Sequence, residues 1–450
     1  MRGWDRHQRA VERLVESYRA VPEGQRIRLA KRTSNLFRPR TAPSVGLDVT
    51  GLDGVIDVDV DAATADVQGM CTYEHLVDAV LPLGFIPQVV PQLRTITLGG
   101  AVTGLGIEST SLRNGLPHES VLEMDVLTGA GDLVTATPEG EHAELFDAFP
   151  NSYGSLGYAT RLRIALERVP GFVELRHVRH GADEAVAAIE EVARSGTFEG
   201  RRVDAIDGTA FTPDEVVLTV ATFTDEPGPT SDYTGAAVYY RSVAERTHDR
   251  LTMHDYLWRW DTDWFWCSAA FGAQHPLVRR VWPRRWRRSD VYHRLVGLDA
   301  RLGLSRALDV VRRVPGRERV IQDVEVPLER LPEFLRWFDA EVGMRPVWVC
   351  PLRTRRPWSS YPLEPGRTYV NIGFWGTVEV PADAVPGSVN RRIEEHVSAL
   401  GGHKSLYSEA FYDEATFAAL YGTDALDRVR ERYDPDGRLS TLYEKAVGNS

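Results

Sequence analysis

Cysteine and lysine are the scarcest chemistries in this chain. Three cysteines, Cys71, Cys267 and Cys350, stand far apart. An odd number without CxxC spacing supports neither a disulfide framework nor a zinc site, which favours a reducing, cytoplasmic setting. No metal centre is expected. No uncharged apolar run reaches the roughly 18 residues that a spanning helix requires. The N-terminal MRGWDRHQRAVERLVESYRAV is charged and helix-periodic, without the apolar core of a signal peptide. Lys31, Lys404 and Lys445 are the only lysines among 53 basic residues, a bias that reads as genome base composition and not as chemistry. With 64 acidic residues the net charge is −11, which argues against a role on nucleic acid, whose partners carry a basic field.

What is present suits a globular protein of two or three domains: 450 residues, 43% hydrophobic and 26% charged. From Arg26 to Glu167 short strands and helices alternate. GVIDVDVDAATADVQGM predicts two strands joined by a turn, TYEHLVDAVLPLG a helix stopped at Gly84, SVLEMDVLTGAGDLVTAT a hairpin, and GYATRLRIALERV a further strand. After Pro170 and Gly171 a second block begins. FVELRHVRH, EVVLTVATF, RVIQDVEVP, PVWVCPLR and TYVNIGFWGTVEV predict strands. ADEAVAAIEEVARSG, LERLPEFLRWFDAEVG and VNRRIEEHVSALGG predict helices. The expectation is an α+β protein whose second domain is an antiparallel sheet covered by helices. Residues 230–315 read as a mostly helical insert rich in tryptophan and arginine.

One stretch carries a candidate binding chemistry. TLGGAVTGLGIESTS, Thr97–Ser111, holds Gly99, Gly100, Gly104 and Gly106, and bare backbone of this kind admits a phosphate. It is not a dinucleotide turn, because Ser109 replaces the third glycine and STSLRNGLPHES after it does not read as a helix. It is not a Walker loop either. Spacing alone leaves a phosphate cradle and an unliganded turn equally open.

The order of motifs around it, GFIPQVVPQLRTIT before and NSYGSLGYATRLRI after, resembles the vanillyl-alcohol oxidase (PCMH-type) flavoproteins over residues 20–170. The resemblance implies a two-subdomain FAD-binding domain at 1–170, a cap or substrate domain at 171–395 and a C-terminal segment, 396–450, returning to the flavin. It places Pro91, Thr97, Leu98, Gly99, Gly100, Thr103 and Gly104 against the pyrophosphate and ribityl chain, with Ser109, Ser111 and His118 as further cofactor donors. Gly154, Ser155, Gly157, Tyr158 and Ala159 form the later loop around the adenine. The family's first phosphate loop is glycine-rich and sometimes bears a histidine that binds flavin covalently. Here LAKRTSNLFRPR has neither feature, so the FAD is expected to be non-covalent. Lys31, Arg32, Ser34 and Asn35 either hold the phosphates or, for the first two, form a solvated surface pair.

VVPQLRTITLGGAVTGLGIESTSLRNGLPHESV, VIQDVEVPLERLPEFLRWF and KSLYSEAFYDEATF resemble Δ24-sterol reductases. The chain resembles more closely still the actinobacterial FAD-dependent oxidoreductases of 10-methyl fatty acid synthesis. The resemblance implies reduction of a 10-methylene acyl branch to a methyl branch, with NADPH reloading the flavin and a lipid methyltransferase acting beforehand. Such an alkene needs a proton donor, a dry pocket and orientation. Glu108, His403, Lys404 and Tyr407 are the candidate catalytic residues, with His118 and Glu409 behind them. Lys404 would stabilise reduced anionic flavin. Each also has a plain structural reading: an ion pair for Glu108, a loop hydrogen bond for His118, an exposed strand end for Lys404. Two rivals remain open: a flavin oxidase of an alcohol or sugar using O2, and a non-catalytic membrane-associated partner of a lipid methyltransferase.

DYLWRWDTDWFWCSAAFGAQHPLVRRVWPRRWRRSD, Asp255–Asp290, contains six tryptophans and, within ten positions, Arg279, Arg280, Arg284, Arg285, Arg287 and Arg288. Tryptophan with arginine suits the headgroup layer of a membrane, where a phospholipid-bound acyl substrate would be met. The other readings are a packed cap with a solvated arginine face and RNA stacking, the latter disfavoured by the acidic remainder of the chain.

Overall fold

The computed structural model describes residues 2–31, 37–38, 44–104, 106–302, 316–361 and 363–447. An amphipathic helix, Arg2–Arg19, precedes a small parallel pair, β1 (Ile27–Leu29) and β2 (Val45–Leu47). The next six strands are β3 (Val55–Asp59), β4 (Thr64–Gln68), β5 (Phe85–Pro87), β6 (Val121–Leu127), β7 (Leu133–Ala136) and β8 (Tyr158–Arg168). They form an antiparallel sheet in the order β3-β4-β8-β6-β7, with β5 also pairing β8. The expected strand pair, hairpin and helix all form. Thr72 caps the helix Tyr73–Val80, and Gly84, at φ 82°, terminates the turn that follows it.

The second sheet has eight strands. β9 (Phe172–His180) precedes a short hairpin, β10 (Thr197–Phe198) with β11 (Arg201–Arg202). Then come β12 (Ala205–Thr212), β13 (Glu215–Thr224), β14 (His248–Thr252), β15 (Gly316–Pro327), β16 (Val347–Leu352), β17 (Tyr369–Val380) and β18 (His403–Lys404). The order is β14-β9-β13-β12-β16-β17-β15-β18, antiparallel throughout. The helices Ala182–Ser195, Leu331–Glu341 and Ser388–Ala399 supply the apolar residues that pack one face. This is the α+β architecture expected.

Side chains alternate across a strand, and here both faces are buried. Ile206, Leu218, Val349, Ile372, Val324 and their alternates join the helices in one core. Asp207, Trp348, Asn371, Gly373, Trp375, Asp323 and Glu325 occupy the intervening positions, and so share the other face. That face is turned toward the first domain and carries the polar residues.

One expectation is corrected. Thr97–Gly104 is not a loop but a six-residue helix, Leu98–Thr103, and Ser111–Asn114 and Pro117–Ser120 form single helical turns. The described part of the insert, residues 230–302, is helical over most of its length, in short pieces. It contains strand β14 and only short helices, Tyr239–Glu245, Met253–Leu257 and Pro276–Val281, before the longer Ser289–Leu302. Consecutive bulky aromatics pack there against one another instead of presenting a 3.6-residue face. Among the described residues no helix is long and apolar enough to cross a membrane, and the three cysteines are free.

Candidate active site

A cavity lies between the two sheets. Of the residues singled out in the sequence, Lys31, Pro91, Thr97, Gly99, Gly100, Thr103, Gly104, Gly154, Gly157, Tyr158, Ala159 and Tyr407 line it. Arg32, Ser34 and Asn35 lie outside the described residues.

Thr97 caps the short helix Leu98–Thr103 by accepting from the Gly100 N–H at 3.2 Å. The same hydroxyl accepts from Lys31 Nζ at 3.3 Å. Gly99 is required by packing rather than by a ligand, because a Cβ there would meet the Gly69 carbonyl oxygen at 2.6 Å. The later loop is bent hard. Asn151 and Tyr153 have φ of 59° and 49°, and Gly154 and Gly157 of 77° and 135°. Lys445 Nζ braces it by donating to the Tyr153 and Gly154 carbonyls at 3.2 and 3.0 Å.

Cations surround this half of the cavity. Lys31 and Arg38 line it and Lys445 sits behind the loop, and none meets a carboxylate at ion-pair distance among the described residues. Burial pulls Lys31 down to about 8 and Arg38 to about 10. Burial, with Arg38 and Arg430 nearby, pulls Lys445 to about 7. Desolvated cations without counter-charges are costly, and an anionic diphosphate repays that cost. The residues therefore fit FAD: Lys31, Thr97 and the turn after it, and the loop Gly154–Ala159 would hold its phosphates and adenosine. All three lysines of the chain are thus turned inward, Lys404 fully and the other two half-buried.

The other half is aromatic. Phe37, Trp264, Phe265, Trp348 and Trp375 line it. Phe265 lies 4.3 Å from Trp375 and 5.6 Å from Trp348 between ring centroids, and Phe37 stacks on Trp264. Trp264 and Phe265 are consecutive left-handed residues, φ 46° and 57°. Such a conformation is strained for bulky side chains and concentrates at functional sites. Among the described residues, three of the six non-glycine residues with positive φ, Tyr153, Trp264 and Phe265, line this cavity.

Polar groups enter the aromatic half from β15 and the segment after β18. Asp323, Trp348 and Gly373 lie side by side in register on β15, β16 and β17. Gly373 has no side chain, and a Cβ there would collide with the Asp323 carboxylate and the Trp375 ring. Burial raises the Asp323 carboxyl to about 7, against hydrogen bonds from Asn371 and Tyr407. Trp375 Nε1 donates to Tyr407 Oη at 2.7 Å. Beneath them Ser405 Oγ donates to Glu325 at 2.8 Å, and burial also holds Glu325 well above the usual carboxylate range.

Several expected site residues lie elsewhere. Glu108 is buried away from the cavity, accepting from Arg259 at 2.7 Å, and Arg259 also donates to Asp207 at 2.8 Å. Two carboxylates share one guanidinium, and burial raises Glu108. Lys404 is committed to Glu394 and the Glu409 carbonyl, so it is no flavin-stabilising cation. His403 packs on Tyr361 and Tyr421 and burial drops it to about 3. His118, packed edge-on to Trp358, is likewise lowered to about 3 by burial and Arg356. Both imidazoles are neutral core groups. Ser109 bonds Tyr256, Ser111 accepts from the Glu108 N–H, and Ser155 and Leu98 are buried outside the lining. Asp323, Trp375, Trp348, Arg38 and Tyr153 were not anticipated. The one signal for Asp323 was an acid in the middle of a valine-rich strand.

Fold and cavity together define a flavoprotein. Residues 8–137 match the FAD binding domain family, and the chain is an FAD-dependent oxidoreductase. It is 24% identical over 409 residues to the Delta(24)-sterol reductase of Homo sapiens, covering 87% of this chain and 75% of that protein. The Arabidopsis thaliana Delta(24)-sterol reductase is 24% identical over 449 residues, covering 89% and 76%. Cytokinin dehydrogenase 10 of Oryza sativa subsp. japonica is 31% identical over 153 residues, covering 34% of this chain and 28% of that protein.

Proposed function

We propose that the protein reduces an isolated carbon–carbon double bond in a lipid, converting a 10-methylene acyl branch to a 10-methyl branch, with NADPH as electron source. The observation that carries this reading is a carboxyl–phenol pair, Asp323 with Tyr407, set in an otherwise aromatic chamber beside the flavin cradle. The similarity to sterol reductases along most of the chain supports the bond type. The acyl substrate rests on the sequence resemblance.

Bound reduced FAD supplies hydride. An alkene without a neighbouring carbonyl accepts hydride only once protonated, and Asp323 is the group placed to give that proton. Burial raises its carboxyl to about 7, so that a large fraction carries the proton near neutrality. Protonation of the terminal methylene carbon puts positive charge on the tertiary carbon, which the faces of Trp264, Phe265 and Trp375 stabilise while excluding water. Tyr407, bonded to Trp375 and Asp323, orients the acid.

The test is anaerobic reduction of the flavin by NADPH, followed by mixing with a 10-methylene lipid. Expected are flavin reoxidation and a product heavier by two hydrogens. Reoxidation by O2 with no reaction of the alkene would favour the oxidase reading, and reduction of a Δ24-sterol alone would move the substrate class.

A further inference from the structure

Val281 and Leu277 are the two most exposed large hydrophobic residues described, at 78% and 72%. They stand four positions apart on the helix Pro276–Val281 and so share one face. Trp286, 48% exposed, follows in the turn Arg284–Trp286. Exposed apolar groups clustered in this way mark an interaction surface.

The arginines around them divide into two sets. Arg279 is buried on Asp263, Arg287 donates to the carbonyls of Thr234, Gly235 and Arg279, and Arg288 pairs with Glu74 and Asp290. These three fasten the segment to the fold. Arg280, Arg284 and Arg285 are exposed. Arg280 and Arg285 make no hydrogen bond or ion pair among the described residues, and Arg284 reaches only the exposed Asp232. A cleft beside Val281 adds Arg241, with Glu245 and an Arg246 that is already paired with Asp249. In a chain of net charge −11 this face has the opposite sign.

We propose that Leu277, Val281 and Trp286, ringed by Arg280, Arg284 and Arg285, seat the protein on a bilayer containing anionic phospholipid. The apolar trio enters the boundary of the acyl region and the guanidinium groups meet headgroup phosphates. Charge complementarity selects this occupant over an apolar protein groove. Earlier in the same stretch of chain, Trp264 and Phe265 line the cavity. The inference rests on the lipid reading only for its purpose.

The holoprotein is mixed with vesicles of phosphatidylcholine containing about one-third phosphatidylglycerol and sedimented. Binding is expected, and it should fall steeply between about 0.1 M and about 1 M salt as the Debye length shrinks. Leu277→Ser with Val281→Ser should weaken partitioning about tenfold or more. Arg280→Ser with Arg285→Ser should weaken it and flatten the salt dependence. Val385→Ser, a comparably exposed control, should change nothing. All variants keep the flavin spectrum, which excludes misfolding. Activity on a short, soluble methylene-branched acid should survive in every variant, and its absence from the wild type would count against the proposed reaction and not against the surface. Sedimentation of the variants equal to wild type, or of none of the proteins, overturns the proposal. So would a dimer in sedimentation velocity that the Leu277→Ser/Val281→Ser pair abolishes, because the face would then belong to a second copy.

Discussion

A single buried carboxyl separates acid chemistry from simple packing in the aromatic half of the cavity. Asp323→Asn keeps the shape and the Tyr407 contact but cannot give up a proton of comparable acidity. Reduction of the flavin by NADPH should be unchanged, while reoxidation by the alkene slows by about 10²–10⁴; equal rates in stopped flow would remove Asp323 from the chemistry. Because the protonated form acts, wild-type reoxidation should fall as pH rises through about 7, and Asp323→Asn should lose that inflection. Lys31 has the opposite logic. Burial disfavours its charge, and an anionic diphosphate restores it, so FAD affinity should be full below about 8 and decline above it. Lys31→Met should bind FAD about tenfold more weakly at neutral pH and show a flat profile to alkaline pH, read by fluorescence titration of the flavin.

Strands β15, β16 and β17 show how the site is assembled from a period of two. Gly373 is the gap that admits the Asp323 carboxylate and the Trp375 ring. Gly373→Ala should displace both, costing about 1–3 kcal/mol of stability in denaturant melts together with most of the turnover; an unaltered rate would show that the gap is not needed. The strands themselves were plain in the sequence, as were the helices over them and the stop at Gly84 after the helix Tyr73–Val80. What was not legible was the second buried face. In RVIQDVEVP the alternation of valine with Asp323 and Glu325 resembles an amphipathic strand with a wet side, and only the packing of the first domain makes that side interior. Glu108, His403 and Lys404 failed for the converse reason. Their residue types are chemically apt, but local sequence does not reveal that Arg259, a tyrosine pair and Glu394 absorb them. Glycine spacing served better, since a backbone requirement is local in a way that a side-chain partner is not.

Across the whole molecule, the two sheets are joined by charge as well as by apolar contact. Arg259 spans Glu108 of the first domain and Asp207 of the second, while Trp260 and Trp348 also donate to Asp207. Arg259→Met leaves two carboxylates buried without a cation, and should cost about 3–5 kcal/mol with a lowered melting temperature; a melting curve matching wild type would show that the cluster does not couple the domains. No histidine or cysteine lines the cavity among the described residues, so acid precipitation should leave the flavin in the supernatant, and colour retained in the pellet would contradict that. The inward placement of every lysine has a practical consequence beyond cofactor binding. No lysine of the folded chain is fully exposed to acylating reagents, and the positive charge of the surface is carried by guanidinium groups that such reagents ignore. Succinimidyl esters or acetic anhydride would therefore act as footprints of the interior: Lys31 should be modified in the flavin-free protein and shielded in the yellow one, whereas Lys404, held on Glu394, should be acylated only after unfolding.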